Sequence, residues 1–321
     1  MNTPKLKTRI VADDLWFPEG PVALPDGSVL VVEIRRRTLT RVFPDGRKHI
    51  VANLGGGPNG AAMGPDGACY ITNNGGLKFH RRADGVMVNA GQSDDYVTGR
   101  IERVDIETGK AEVLYDRIDG IPLKGPNDLV FDAHGGFYFT DLGKARATDT
   151  DLGSVCYAQA DGSLIKRLVF PISKPNGIGL SPDGSKLYVA ETETARVWAW
   201  DLKGPGELAN QVVASNSSPH GSQLIGISPT FARFDSLAIE AGGNVCVGTL
   251  HRGGVTVFAP EGGIVDFLPV DVDTHITNLC FGGDDMKRAW LTGSWSGTLI
   301  EAEWPRAGLR LQHQQQSIRP Q

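Results

Sequence analysis

The chain repeats one short pattern around its length, and that repeat limits its fold more than any other feature. Five segments open on a polar residue and run directly into an apolar strand: Phe17-Pro18-Glu19-Gly20-Pro21-Val22, Pro58-Asn59-Gly60-Ala61, Pro126-Asn127-Asp128-Leu129-Val130-Phe131, Pro175-Asn176-Gly177-Ile178-Gly179-Leu180 and Phe234-Asp235-Ser236-Leu237-Ala238-Ile239. A sixth, weaker copy is Thr277-Asn278-Leu279-Cys280. Most copies continue through a tight turn such as Pro25-Asp26-Gly27, Pro65-Asp66-Gly67 or Pro182-Asp183-Gly184 into a second apolar strand. Taking Glu19, Asn59, Asn127, Asn176, Asp235 and Asn278 as repeat starts, the spacings are 40, 68, 49, 59 and 43 residues. Units of about 40–50 residues built from several short strands are the mark of β-propeller blades. The fourth unit shows three such strands, Gly177–Leu180, Leu187–Ala190 and Val197–Trp200. The expected fold is therefore all-β, a six-bladed β-propeller occupying residues 1–310 as one domain, with 311–321 as a disordered tail. The early segment Thr8–Ala12 is expected to complete the last blade and close the ring.

Two long spacings mark insertions. One runs from about Leu77 to Gly99 and is expected to lean over the mouth of the ring; the other contains Ala214–Gly221. The formal net charge of -5 argues against a nucleic-acid partner. Arg35-Arg36-Arg37 reads as a solvated face. No apolar run reaches the ~18 residues of a membrane span, and Met1–Lys7 leads into no secretion signal. The four cysteines, Cys69, Cys156, Cys246 and Cys280, lie in separate apolar strands without the close pairing of a zinc site. They read as buried thiols of a cytoplasmic protein.

The innermost strand of a blade runs along the central channel, so its first residue meets its counterparts at one end of that channel. Glu19, Asn59, Asn127, Asn176 and Asp235 would form a ring of two carboxylates and several amide carbonyls, a hard-oxygen site for one divalent cation. Asn and Asp at strand starts also cap turns, but Glu19 is a poor turn residue. His251 is the histidine best placed to reach this mouth. Asp141 and Glu191, at the ends of second strands, either reach it too or cap turns. Trp16, Phe17 and Trp295 could form an apolar rim. No Gly-x-Ser-x-Gly elbow supports a serine esterase.

With these motifs in order, the chain resembles the SMP-30/gluconolactonase family, which includes regucalcin-type sugar lactonases, Drp35-like lactonases and, more distantly, squid-type diisopropylfluorophosphatase. The likeness runs from Trp16-Phe17-Pro18-Glu19-Gly20-Pro21 to Trp295 and is strongest at Asn127–Asp132 with Gly136–Asp141, then at Pro175–Ile178 with Tyr188–Thr192. It implies a metal-dependent lactonase acting on a small lactone, monomeric or homodimeric. The cation is Ca2+, Zn2+, Mg2+, Mn2+ or Fe2+. The metal ligands by position are Glu19, Asn176 and Asp235, with Asn127 on the metal or beside it. Asp235, then Asp128, is the candidate general base. Asn59, Asn127, Lys124 and His251 are the candidate substrate contacts. Regucalcin-type members carry an arginine where this chain has Gly125, flanked by Lys124 and Pro126. A less polar lactone or an ester therefore joins the sugar lactones as an expected substrate. An ester or phosphotriester hydrolase and a non-catalytic binding propeller are the other readings.

Overall fold

A computed structural model describes residues 5–210 and 220–314. Among them there is no helix, and strands form six antiparallel blades. The inner strands are Pro18–Ala23, Pro58–Met63, Pro126–Phe131, Pro175–Leu180, Arg233–Ile239 and Ile276–Gly282, and each packs on the next in a closed cycle. The last blade is completed by the N-terminal strand Lys7–Ala12, paired with Thr298–Glu303. First and last segments are thus joined by a sheet ladder, and the expected closure holds.

Second strands such as Val29–Glu33, Cys69–Asn73 and Gly136–Asp141 are buried at every position. Blades cover both their faces, so these strands read as continuous apolar runs rather than alternating ones. Outer strands such as Lys48–Asn53 and Ala111–Tyr115 are mostly exposed, which is why they leave so faint a trace in the sequence. Six apolar clusters fill the six interfaces between blades. Cys69, Cys156, Cys246 and Cys280 each lie in a different cluster, all buried and unpaired.

One irregularity is common to all six inner strands. Each slips register against its partner close to its first polar residue, as between Pro58 and Gly60 or Pro126 and Leu129. Such a bulge bends the strand and re-aims a side chain. In the second, third and sixth blades the amide it frees finds a hydroxyl on the second strand. Gly60 N donates to Thr72 Oγ1 (2.8 Å), Asp128 N to Thr140 Oγ1 (3.2 Å) and Asn278 N to Thr292 Oγ1 (3.0 Å). Two of these hydroxyls then donate onward to the next blade, Thr72 to Asn127 O (2.5 Å) and Thr140 to Asn176 O (2.6 Å).

This register corrects the sixth repeat. Asn278 matches Gly60 and Asp128, so the sixth residue facing the mouth is Thr277. The layer below the ring is drawn tight by small residues. A Cβ on Gly60 would lie 2.6 Å from Asn127 O and 2.8 Å from the Cα of Asp128, and one on Gly177 would strike the backbone of Ser236 and Leu237.

The far end of the channel is crossed by the start of the tail. Gln314 Nε2 donates to Phe281 O (2.6 Å), and His313 sits edge-on to Phe131. Residues 315–321, and 214–219 of the second insertion, lie outside the described residues.

Overpacking a close-packed interior costs about 1–3 kcal/mol. Gly177→Ala should therefore lower the unfolding free energy by about that much in urea denaturation. An unchanged midpoint would show that the inner strands are not packed at this limit.

Candidate metal centre and cavity

The bulges place Glu19, Asn59, Asn127, Asn176, Asp235 and Thr277 together at the floor of one cavity of about 320 Å³. Glu19, Asn59, Asn127 and Asn176 are buried; Asp235 is half-buried, open on its cavity side. Two oxygens here, Glu19 Oε2 and Asn127 Oδ1, are buried without a hydrogen-bond partner. A buried polar atom left unpaired costs roughly 1–3 kcal/mol, so their coincidence at one floor is notable. A second cavity of about 370 Å³, with Asp132, Tyr138 and Lys203 in its wall, has no such atom.

The carboxylates are electrostatically frustrated. Glu19 is raised well above the ordinary carboxylate range, first by burial and then by the charges of Asp235 and Asp128, with Thr277 and Asn278 offering partial relief. Asp235 is also raised, by burial and then by Asp128, opposed by Asn176 and the amide of Ser236. Acids raised by neighbouring carboxylates, Glu19 by Asp235 and both by Asp128, form an incomplete charge set, and a cation completes it. No cluster of three His, Cys, Asp or Glu is found among the described residues. The ring instead joins two carboxylates to amide and hydroxyl oxygens, a donor set that fits a hard divalent cation.

The remaining sequence candidates fall into distinct places. Asn59 is held by both ends of its amide: Oδ1 accepts from Asn74 Nδ2 (3.0 Å) and Nδ2 donates to Asn127 O (3.2 Å). Asp128 lies one layer below the ring, lining a narrow space of about 60 Å³ with Gly20 and Asn278. Burial pushes its carboxyl up to about 7. Lys124 has its side chain at the surface, outside the cavity wall, and its backbone is engaged instead: its amide donates to Asp141 Oδ2 (2.8 Å) and its carbonyl accepts from Tyr96 Oη (2.8 Å).

Asp141 and Glu191 are clamps. Asp141 accepts from the amides of Lys124, Gly125 and Gly143, and Glu191 accepts from Ser173 N (3.1 Å). Glu33 and Asn73 occupy the same position in the first two blades and accept from Trp16 N (2.7 Å) and Gly57 N (2.8 Å). Each fixes the loop entering the inner strand and so fixes the ring residue.

His251 does reach the cavity. Its ring meets that of His275 edge-on (4.7 Å), and His275 stacks on Trp295. Burial, then the charges of His251 and Arg233, take His275 down to about 3, so this plate is uncharged at neutral pH. The first insertion forms a hairpin, Leu77–Arg81 with Met87–Gln92, whose Leu77, Val88 and Asn89 line the cavity. Phe79 packs on Phe17 (5.0 Å) and Arg82 lies over Trp295 (5.1 Å). The hairpin therefore leans over the mouth, while Trp16 lies outside the lining, beneath Arg35 and Arg36.

Two lysines unnoticed in the sequence complete the wall. Lys144 is 2% exposed, and burial, with the charge of Lys174 adding, draws it down to about 7 against the pull of Asp141 and Asp151. Lys174 is 8% exposed. Both line the cavity. Their loops were in view, since Lys144 follows Asp141 by three residues and Lys174 immediately precedes Pro175.

Comparison with known proteins bears on the family and the fold. The family model described as SMP-30/Gluconolactonase/LRE-like region matches residues 17–294. A gluconolactonase from Zymomonas mobilis subsp. mobilis is 26% identical over 297 residues, covering 85% of this chain and 75% of that one. The lactonase drp35 of Staphylococcus epidermidis is 34% identical over 137 residues, covering 42% of this chain and 39% of its own. Among solved structures, a gluconolactonase from Xanthomonas campestris superposes with a TM-score of 0.72 at 22% identity, covering 94% of this chain and 90% of that one. Regucalcin, a calcium-binding protein from Agrobacterium tumefaciens, also gives 0.72, at 19% identity over 96% and 98% of the two chains. These two likenesses show the propeller fold. The match of the family model over most of its length shows that the chain belongs to the SMP-30/gluconolactonase/LRE-like family.

Proposed function

We propose that this protein is a divalent-metal-dependent lactonase that opens a small lactone to its hydroxy acid. The observation that carries the reading is the floor of the cavity, where two carboxylates raised by burial and by neighbouring acids lie together and Glu19 Oε2 and Asn127 Oδ1 have no hydrogen-bond partner. Its lactonase relatives, which include a gluconolactonase, support the reaction class.

Glu19, Asn127, Asn176 and Asp235 would hold the cation. Bound there, it would supply Lewis-acid polarisation of the lactone carbonyl and charge to stabilise the oxyanion. Asp235 is the ring carboxylate open to the cavity and takes the proton as water adds to the carbonyl carbon. The ester C–O bond then breaks, and that proton passes to the departing alkoxide to give the hydroxy acid. Asp128, one layer beneath, acts through its charge on Asp235 and Glu19. Asn59 keeps the Asn127 segment in place through its bond to Asn127 O. The neutral His275–Trp295 plate gives the substrate ring a flat apolar surface, and the hairpin limits water above it.

Glu19→Gln and Asp235→Asn should each lose turnover by roughly 10²–10³-fold, as removal of one electrostatic stabiliser does in other hydrolases. Each should also weaken cation binding in calorimetric titration. Turnover within tenfold of the parent protein in either variant would contradict the assignment.

A second prediction concerns the metal-free protein. A carboxyl whose folded pKa is raised contributes stability below its unfolded value of about 4, and that contribution is lost as pH rises through its folded value. The direction of the Glu19 and Asp235 shifts and the value of about 7 at Asp128 set the window at roughly pH 4–7. At pH 8 the metal-free Asp235→Asn variant should therefore be more stable than the metal-free parent by roughly 1–3 kcal/mol. At pH 5 the difference should shrink. A variant less stable than its parent at pH 8 would show that the carboxylates do not repel.

A further inference from the structure

The wall of the cavity carries positive charge that the lactonase reading leaves unused. Lys144 Nζ donates to Gly76 O (2.8 Å) and Asn74 Oδ1 (3.2 Å), and lies 5.0 Å from the ring centroid of Tyr96. Lys174 Nζ donates to Asp151 O (3.1 Å) and, weakly, Leu142 O (3.5 Å). An ammonium has three N–H donors, and each of these spends at most two, both on neutral oxygens. Among the described residues neither lysine makes an ion pair. The nearby acids are engaged elsewhere: Asp141 accepts from three backbone amides, and Asp151 is held by Arg146 and by the amide of Lys144. The third cation at the cavity, Arg233, is paired with Glu193 (3.0 Å).

A buried, unpaired ammonium costs several kcal/mol of desolvation. Lys174 bears a second cost. Its φ of 47° lies in the left-handed region, which crowds the Cβ of any residue but glycine against its own backbone. Strained backbone of this kind gathers at functional sites. Lys144 does brace Asn74 and through it Asn59, but a neutral donor would serve that role without the charge. If Glu19 and Asp235 are balanced by a divalent cation, the cavity offers no free anion to pair with Lys174 or with the protonated form of Lys144.

Building on the lactonase reading, we propose that the substrate is an anionic lactone, whose carboxylate or phosphate substituent is held by Lys144 and Lys174 while its lactone carbonyl lies over the ring. The anion supplies the ion-pair partner both ammoniums lack and fixes the lactone ring against the opposite His275–Trp295 plate. The cavity has room for a monocyclic lactone with one such substituent.

The test compares kcat/KM of the metal-loaded protein on a neutral hexonolactone, on a lactone of the corresponding dicarboxylic sugar acid and on the 6-phosphorylated lactone. A charge-assisted hydrogen bond contributes about 1.5–3 kcal/mol, or roughly 10–150-fold. At least one anionic lactone should therefore exceed the neutral one by about tenfold or more, and which one does so separates carboxylate from phosphate. Lys144→Met and Lys174→Met should each collapse that ratio by about tenfold or more, and Lys144→Arg should retain part of it. If Lys144→Met shows no cooperative melting transition, Lys174→Met carries the comparison. Hydrolysis of neutral and anionic lactones at similar rates, or a ratio unmoved by both substitutions, would overturn the inference and leave the lactonase reading standing. No hydrolysis of any lactone would overturn the lactonase reading, and the inference with it.

Discussion

Everything at the mouth of this propeller depends on the bulge that opens each inner strand. A regular strand would lay its first residue flat against the neighbouring blade. The register slip instead tilts Glu19, Asn59, Asn127, Asn176, Asp235 and Thr277 onto the channel axis. A bulge frees backbone groups that must be satisfied, and the hydroxyls of Thr72, Thr140 and Thr292 accept the amides. Because Thr72 and Thr140 also donate to the next blade's ring residue, the local repair becomes a link between blades. Clamps at Glu33, Asn73, Asp141 and Glu191 fix the loops from the other side. The ring is thus held largely by backbone hydrogen bonding, and Glu19 Oε2 and Asn127 Oδ1 stay free for a ligand.

That freedom is expensive for the folded protein. Glu19 is buried within reach of the charge of Asp235, which is half-buried, and Asp128 adds its own beneath them. Lys144 and Lys174 sit buried without carboxylate partners. The four form a polarised pocket, acidic at the floor and basic along the wall of the third and fourth blades. Its charges answer to a ligand with the opposite arrangement: a cation below and an anion at the side.

Much of this was legible in the sequence because the repeat displays the ring directly. Each ring residue precedes an apolar strand, and five of six can be aligned by eye. The sixth misleads for a physical reason. Asn278 looks like its counterparts, but ring position is set by which amide meets the second-strand hydroxyl, and that match moves the ring residue to Thr277. Lys124 flanks Gly125, the position where regucalcin-type members carry an arginine, and so is the sequence's substitute for it. In the fold the clamp at Asp141 holds its amide and leaves the side chain at the surface. Lys144 and Lys174 come from loops without periodicity, and only the fold brings them to one wall. Outer strands were hard to place because they are half in solvent and carry no continuous apolar run.

The central claim is that the ring works as a cation site for lactone hydrolysis. The most direct measurement is pH-stat turnover of a lactone panel by the protein as purified, after exhaustive chelation, and after adding back Ca2+, Mg2+, Mn2+, Zn2+ or Fe2+ one at a time. The account predicts turnover that vanishes on chelation and returns with at least one of these ions. Turnover of the same lactones undiminished in fully stripped protein would contradict it.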